Sequence, residues 1–211
     1  MKSYDNYQIE EALYLQGYEK IAGTDEVGRG PLAGPVVAAC VIMPKGCRIE
    51  GVTDSKKISE KNRKILEKEI KAKALAYSVI FIDEQIIDEI NIYEASRKAM
   101  LDGIASLKIK PDYVLTDAMP LSIDIKTEAI IKGDEKSFTI GCASILAKVA
   151  RDEYMVELDQ KYPIYGFKQH KGYPTKMHLE AIKQYGILDQ HHRKSYAPVK
   201  VEALKNHFFD R

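Results

Sequence analysis

The feature that most limits the fold of this chain is a set of five short apolar segments, rich in β-branched residues and bounded by Gly, Pro or charged residues. Such segments are typical of β-strands. They lie at Ile21 to Thr24, Val36 to Ile42, Tyr77 to Ile82, Tyr113 to Thr116 and Ala129 to Ile131. No helical pattern separates the first two segments, so we predict that they form a hairpin or meander.

Helical patterns occupy much of the remaining sequence. They predict a charged helix from Ser59 to Leu75, a helical region from Asp83 to Leu107 with a break near Asn91, and a long amphipathic helix from Thr139 to Tyr162. The predicted fold class is therefore α/β, with a mixed five-stranded sheet flanked by helices and a helical, basic C-terminal part.

Length and charge indicate one domain with an uneven surface. The 211 residues, 45% of them hydrophobic, predict a single globular domain over residues 1–211, with residues 161–211 as its basic C-terminal part. Between Lys161 and Lys200, eight Lys or Arg stand against two acidic residues, and five of the thirteen tyrosines lie in the same window. This mixture favours a sugar-phosphate partner, although an ordinary solvated surface explains the composition equally well.

The cysteines point to a reducing compartment. Cys40, Cys47 and Cys142 are odd in number and form no C-x-x-C pair, which argues against a disulfide framework and against structural zinc. The sequence shows no charged-then-apolar leader and no apolar run near the ~20 residues that a membrane span needs. We therefore expect a soluble cytoplasmic protein without membrane contact.

Four acidic residues follow or end predicted strands: Asp25 and Glu26 the first, Asp117 the fourth and Asp134 the fifth. Strand ends can bring acids from distant parts of a sequence together, and clustered carboxylates repel one another unless a cation lies among them. Oxygen ligands favour Mg²⁺ or Mn²⁺, and two such ions can hydrolyse a phosphodiester. A solvated strand terminus is the more common situation for an Asp-Glu pair considered alone.

Neighbouring strand residues point to opposite faces, so Asp25 and Glu26 cannot both enter one pocket from a regular strand. We expect Asp25 to bridge the ions and Glu26 to join it only because the strand ends there. The glycines that follow are spaced G-x-G-x-x-x-G and interrupted by prolines, which argues against a dinucleotide loop. The glycines would allow the backbone to approach a nucleic acid closely, with the Arg29 guanidinium donating to a phosphate. They are equally compatible with a simple tight turn.

Taken together, these motifs resemble the bacterial ribonuclease HII family, the type 2 ribonucleases H, over nearly the whole chain. The motifs are D-E-V-G-R-G-P-L-A-G-P-V from Asp25, D-S-K-K from Asp54, Asp117, K-G-D ending at Asp134, A-S-I-L-A-K-V-A-R-D ending at Asp152, Y-G-F-K-Q-H-K-G-Y-P-T from Tyr165 and H-H-R-K-S-Y from His191. The chain has too little sequence before them for the N-terminal domain expected of the related ribonuclease HIII.

The resemblance implies a ribonuclease H-like fold and an endonuclease that cuts the RNA strand of RNA/DNA hybrids and nicks DNA at embedded ribonucleotides. It implies 3′-hydroxyl and 5′-phosphate products, a place in ribonucleotide excision during DNA replication and repair, and a monomer. The four acids become the catalytic, metal-binding residues. The residues it assigns to substrate binding are Gly28, Arg29, Gly30 and Tyr173: the G-R-G motif contacts the ribose 2′-hydroxyl and Tyr173 packs on the next sugar. We add Lys56, Ser144, Lys148 and Lys171 as further substrate-binding candidates, Lys148 because the predicted helix places it where it could meet a phosphate.

Three smaller features leave choices open. Asp152 shares a helical stripe with Ser144 and Lys148, so it is either half of an exposed Lys-Asp pair or a residue beside the metal site. His191 and His192 lack a third metal ligand, which favours phosphate binding or solvation. The terminal residues 203–209 resemble a sliding-clamp peptide only faintly, and we expect no clamp contact there.

Two other functions remain compatible with the residue pattern alone. A nucleic-acid-binding module would use the basic segment while its acids merely terminate strands, and it would give no product with magnesium. A carbohydrate hydrolase would use two carboxylates as acid and base, although the absence of Trp removes the usual sugar platform.

Overall fold

The computed structural model describes residues 6–209, with side chains described for residues 6–203. Its strands are β1 (Ile21–Val27), β2 (Val36–Ile42), β3 (Ala76–Ile82), β4 (Tyr113–Asp117) and β5 (Lys126–Ile130). Its α-helices are α1 (Gln8–Leu15), α2 (Glu60–Lys73), α3 (Glu84–Ala105), α4 (Gly133–Lys136), α5 (Phe138–Lys161), α6 (Phe167–His170), α7 (Lys176–Tyr185) and α8 (Ala197–Phe209), and 3₁₀ turns cover Ser55–Lys57 and Pro163–Tyr165. Among these helices, none is both long and apolar enough to cross a lipid bilayer.

The five strands form one mixed sheet in the order β3-β2-β1-β4-β5. β1 pairs antiparallel with β2, as the predicted hairpin requires, and parallel with β4. β4 pairs parallel with β5. The carboxyl ends of β1, β4 and β5 therefore lie at the same edge of the sheet, where ligands commonly bind in α/β proteins.

The three helices whose bounds the sequence predicts are present as α2, α3 and α5, whereas α1 was not predicted. Ser59 accepts a hydrogen bond from the Asn62 amide at 3.3 Å and so caps α2. Within α3, Asn91 has a φ of 68°, and its side chain accepts hydrogen bonds from the amides of Tyr93 and Glu94. The break predicted near Asn91 is confirmed, because this residue caps a second helical segment.

The chain forms two compact units. The first contains residues 1–27, 37–80 and 97–149, and it includes six of the seven residues of β2, residues 37–42, all of them buried. The second contains residues 28–36, 81–96 and 150–211. Its core is built from Leu32, Ala33, Met155, Leu158, Tyr165, Phe167, Ala181, Ile182 and Val199.

Candidate functional site

Three of the four predicted acids meet at the carboxyl edge of the parallel strands. Asp25 lies in β1, Asp117 ends β4, and Asp134 lies in α4 just after β5. One carboxylate oxygen from each lies within 4.8 Å of the other two. Asp25 and Asp134 are buried, with 6% and 7% exposure, whereas Asp117 is partly exposed. The arrangement concentrates negative charge where little water can screen it.

Gly133 makes this juxtaposition possible. Its amide donates a hydrogen bond of 2.7 Å to Oδ1 of Asp117. A Cβ at this position would lie 3.3 Å from that oxygen and 2.6 Å from Cδ1 of Ile140. The glycine in the K-G-D motif therefore allows the backbone to approach Asp117 and orient its carboxylate.

Glu26 differs from the expectation based on strand ends. β1 continues to Val27, and Glu26 pairs with Ala38 within the ladder, so the prediction that the strand ends at the acids was wrong. The group of three oxygens does not include Glu26. Its carboxylate is nevertheless near enough for its charge to raise the pKa of Asp25.

The titration of the acids reflects their crowding. Burial and the charges of Glu26 and Asp117 raise the pKa of Asp25 well above its usual value, and a hydrogen bond from Ser144 opposes the shift. Burial and the charge of Asp117 raise the pKa of Asp134 to about 6. Uncompensated repulsion of this kind is what a bound cation relieves.

Lys56, predicted to bind substrate, also lies near these acids. Partial burial lowers the pKa of Lys56, but the combined charges of Asp54, Asp134, Asp25 and Asp117 raise it by a larger amount, so the net shift is upward. The lysine is exposed, and the Asp54 side chain accepts a hydrogen bond from its amide at 2.9 Å. It is thus a cation held beside the carboxylates and open to solvent.

Of the three predicted residues on α5, two are buried and one is partly buried. Ser144 is buried and its hydroxyl is 3.0 Å from that of Ser55. Lys148 is partly buried. Asp152 is only 5% exposed, so the interpretation as half of an exposed ion pair was wrong.

The predicted ribose-reading residues lie in the second unit. Arg29 and Gly30 are exposed, whereas Gly28 is buried and has a φ of 97°. A Cβ on Gly30 would lie 3.5 Å from Cε1 of Tyr173, whose side chain is 40% exposed. The structure therefore brings Gly30 and the Tyr173 ring together at the surface of this unit. Lys171 is partly buried, and its ammonium donates to the carbonyl of Lys168.

Sequence reasoning missed two arginines. Arg151 and Arg193 are both 0% exposed, so Arg193 does not belong to the basic surface counted from the sequence. His192 is also buried, at 1%, and it lies 3.1 Å from His178 between their Nε2 atoms, so the expectation of a solvated residue was wrong. For Arg151 a signal existed: it follows Ala143 and Ala147 at intervals of four on the apolar stripe of α5, where an arginine needs buried acceptors.

Comparisons with known proteins all indicate the same family. A family model described as Ribonuclease HII matches residues 22–199. A Bacillus cereus (strain AH820) protein named ribonuclease HII is 58% identical over 193 residues, which cover 92% of this chain and 75% of that protein.

Solved structures give the same result. The crystal structure of ribonuclease H2 from Pyrococcus horikoshii OT3 matches with a TM-score of 0.77 and 28% identity, over 89% of this chain and 99% of that one. A chain of the PCNA:RNase HII complex from Archaeoglobus fulgidus matches with a TM-score of 0.68 and 28% identity, over 82% and 92% of the two chains.

Proposed function

Because the chain belongs to the ribonuclease HII family and is a ribonuclease H, we propose that it is an endonuclease that cuts the RNA strand of RNA/DNA hybrids and nicks DNA 5′ to embedded ribonucleotides. Its fold is the ribonuclease H-like fold of the solved relatives. Family membership decides the enzyme class against both a binding module without activity and a carbohydrate hydrolase.

The observation that carries the proposal is the convergence of the Asp25, Asp117 and Asp134 oxygens within 4.8 Å of one another. These ligands fit Mg²⁺ or Mn²⁺, because hard divalent cations prefer oxygen donors and their charge would offset the repulsion that raises the pKa values of Asp25 and Asp134. When bound, a pair of such cations activates a water molecule and stabilises the departing oxygen of a phosphodiester.

The acids would divide between the two cations. Asp25 and Asp134 would hold the one on the side of the attacking water, and Asp25, Glu26 and Asp117 the one on the side of the leaving 3′ oxygen. Hydrolysis then adds water to the phosphorus as the bond to the 3′ oxygen breaks, which leaves a 3′-hydroxyl and a 5′-phosphate.

The remaining predicted residues would bind and orient the substrate. Lys56 and Lys148 would contact phosphates near the acids, with Ser144 supporting Asp25. In the second unit, the G-R-G motif would read the ribose 2′-hydroxyl, Tyr173 would pack on the following sugar, and Lys171 would contact the backbone of the nucleic acid. The exposed Tyr173 ring beside Gly30 supports this assignment.

The cellular setting follows from the same proposal. All three cysteines are free thiols, which suits a reducing cytoplasm and a monomer that removes ribonucleotides during DNA replication and repair. The expectation that the C-terminus makes no clamp contact concerns residues 203–209, and the side chains of 204–209 lie outside the described part of the chain.

The test is cleavage of a labelled DNA duplex that contains one ribonucleotide, alongside a uniform RNA/DNA hybrid, with Mg²⁺, with Mn²⁺ and with a chelator. Cutting should occur 5′ to the ribonucleotide, should require the cation, and should leave an end that a DNA polymerase can extend. Asp117→Asn should abolish cutting while binding of the hybrid persists.

Asp124→Asn is the matched control, because Asp124 is an exposed acid of the same unit. It should retain parental activity. Undiminished cutting by Asp117→Asn, or equal cutting in the chelator, would contradict the proposed mechanism.

A further inference from the structure

Two buried arginines bind the backbone of the loop that joins β1 to β2, residues 28–35, here called the G-R-G loop. Arg193 donates from Nη2 to the carbonyl of Gly28 at 2.7 Å, from Nη1 to that of Arg29 at 3.1 Å, and from both Nε and Nη2 to that of Gly34 at 3.0 and 2.7 Å. Arg151 donates from Nε to the Pro35 carbonyl at 2.9 Å and from Nη2 to the Ala33 carbonyl at 3.1 Å. Five carbonyls of one short loop thus point at two guanidinium groups.

The direction of these carbonyls fixes the direction of the neighbouring amides. The described chain has no cis peptide bond, and in a planar trans peptide the C=O of one residue and the N–H of the next point in opposite directions. With the Gly28 and Arg29 carbonyls turned toward Arg193, the amides of Arg29 and Gly30 point away from its guanidinium group. Both residues are exposed, so the loop presents successive backbone donors on its outer side.

Arginine is chemically suited to this role. Its planar group offers five donors in a fixed fork, whereas a lysine offers one compact charge on a flexible stem. Within the described side chains, both guanidinium groups bind carbonyl oxygens, with one further bond from Arg193 to the Tyr196 hydroxyl at 3.0 Å. That hydroxyl in turn donates to the Arg29 carbonyl at 2.6 Å.

Arg151 extends the arrangement to the segment that carries Tyr173. Its Nη1 donates to the carbonyl of Lys171 at 3.0 Å, and the Gly172 carbonyl accepts a hydrogen bond from the Leu32 amide at 2.8 Å. A Cβ on Gly172 would lie 2.3 Å from the Ala33 oxygen, so the two segments are in close contact. One side chain therefore sets the position of the loop relative to the residues that precede the tyrosine.

We propose that Arg193 and Arg151 are positioning residues for ribose recognition: they hold the carbonyls of the G-R-G loop inward so that its amides and Gly30 face the sugar beside Tyr173. This inference rests on the proposed function of the loop. The arginines themselves are buried and do not touch the nucleic acid.

The test compares Arg193→Lys with Arg97→Lys, a charge-conserving exchange at a partly buried arginine of the other unit. The measured quantity is the ratio of kcat/KM on the single-ribonucleotide duplex to that on a uniform RNA/DNA hybrid, at a temperature where both variants are folded. Arg193→Lys should lower this ratio about tenfold, equivalent to about 1.4 kcal/mol, mainly through KM on the duplex. Arg97→Lys should leave the ratio unchanged.

A purely structural role would reduce both activities in proportion and leave the ratio at its parental value. That result in folded Arg193→Lys would overturn the proposal. If Arg193→Lys does not fold, Tyr196→Phe is the test, because it removes one neutral hydroxyl from the same hydrogen-bond network. A fall of the kcat/KM ratio by about threefold supports the proposal, since the equivalent ~0.7 kcal/mol is within the usual range for one hydrogen bond. An unchanged ratio overturns the proposal.

Hydrogen exchange separates this inference from the proposed function. The amides of Leu32 and Gly34 are hydrogen-bonded in the parent, and the peptide covering residues 28–35 should exchange faster in Arg193→Lys without any substrate. A parent that cuts neither substrate would reject the proposed function, and the exchange experiment would still test whether the arginine holds the loop. Parental exchange in a folded Arg193→Lys variant would reject that role.

Discussion

Gly28 and Gly30 belong to the same motif, but their surroundings predict opposite responses to the same substitution. Gly28 has a φ of 97°, and a Cβ there would lie 2.3 Å from Nε of Arg151 and 2.9 Å from the Pro35 oxygen. At Gly30, the nearest atom to a Cβ is Cε1 of Tyr173 at 3.5 Å, an ordinary van der Waals distance. Gly28→Ala should therefore damage the fold, whereas Gly30→Ala should damage only recognition.

The cost at Gly28 has two parts. An L-residue in the left-handed region costs roughly 1–2 kcal/mol. The Arg151 guanidinium must also shift, and weakening even one hydrogen bond from a charged, buried group costs about 1.5–3 kcal/mol. The sum is about 2.5–5 kcal/mol, which should lower the melting temperature by roughly 5–20 °C for a chain of this size.

Gly30→Ala should melt within roughly 2 °C of the parent, because a surface substitution without a clash changes stability by about 0.5 kcal/mol or less. Its methyl group would occupy the space between the loop and the Tyr173 ring, so KM for the single-ribonucleotide duplex should rise about tenfold, a loss of about 1.4 kcal/mol.

Differential scanning calorimetry of the two variants, followed by steady-state cleavage, checks both statements. The reasoning is refuted if Gly28→Ala melts within 2 °C of the parent, or if Gly30→Ala is the less stable of the pair.

Three other substitutions test the charges and strain of the first unit. Asp134→Asn should abolish cleavage, and above pH 6 the free energy of unfolding of its metal-free form should exceed that of the parent by about 1–2 kcal/mol. The reason is that a pKa raised to about 6 stabilises the folded parent only at low pH, and this stabilisation is lost as the pH rises through 6. The full effect would be ~3 kcal/mol, which solvent screening reduces. Urea titrations at pH 4 and pH 8 check this, because the advantage should disappear at the lower pH. Glu10 is fully buried, its Oε1 accepts hydrogen bonds from Ser137 and Thr139, and burial raises its pKa. Glu10→Gln should keep these hydrogen bonds and reduce the loss of stability that the parent shows as pH rises above 4.5; parallel plots of unfolding free energy against pH for the two proteins would contradict this. Ala118 has a φ of 52°, so Ala118→Gly should raise stability by about 0.5–1 kcal/mol, and a lower melting temperature would argue against strain at this turn.

The sequence predicts the bounds of β2 better than those of β5. β2 runs from Val36 to Ile42, as predicted, because it lies between two strands and all seven of its residues are buried, which requires an unbroken apolar run. β5 begins at Lys126 rather than at Ala129. It is an edge strand with exposed positions, so its polar first half carries no apolar signal.

The end of β1 shows how pairing overrides local preference. Asp and Glu are poor strand formers, which places the predicted end at Thr24. The ladder with β2 nevertheless continues through Asp25, opposite Ala39, to Val27, opposite Val37. Only a neighbouring strand, which a local pattern does not contain, holds these acids in extended conformation.

The acid cluster was predictable, whereas the arginine network was not. Asp117 and Asp134 follow recognisable strands, and the shared direction of β4 and β5 brings them together. Arg193 gives no local signal, because it lies in a loop and its acceptors Gly28 and Gly34 are 165 and 159 positions away in the sequence. Such contacts depend on the tertiary fold alone.

The buried charges of the two units differ in how far the surrounding protein compensates them, and this difference bears on which residues could bind a ligand. Around Asp25, burial and neighbouring carboxylates act in the same direction, so the site is costly until a cation neutralises it. Around Arg193, burial lowers the pKa of the guanidinium, and Tyr196 together with the charges of Glu84 and Asp88 opposes part of that shift. The guanidinium also donates hydrogen bonds to the Gly28 and Gly34 carbonyls without any ligand. Because its donors are already engaged with the backbone, Arg193 has little left to offer an anion. This electrostatic difference supports the proposed roles: cation binding by the carboxylates, and positioning of the G-R-G loop by the arginine.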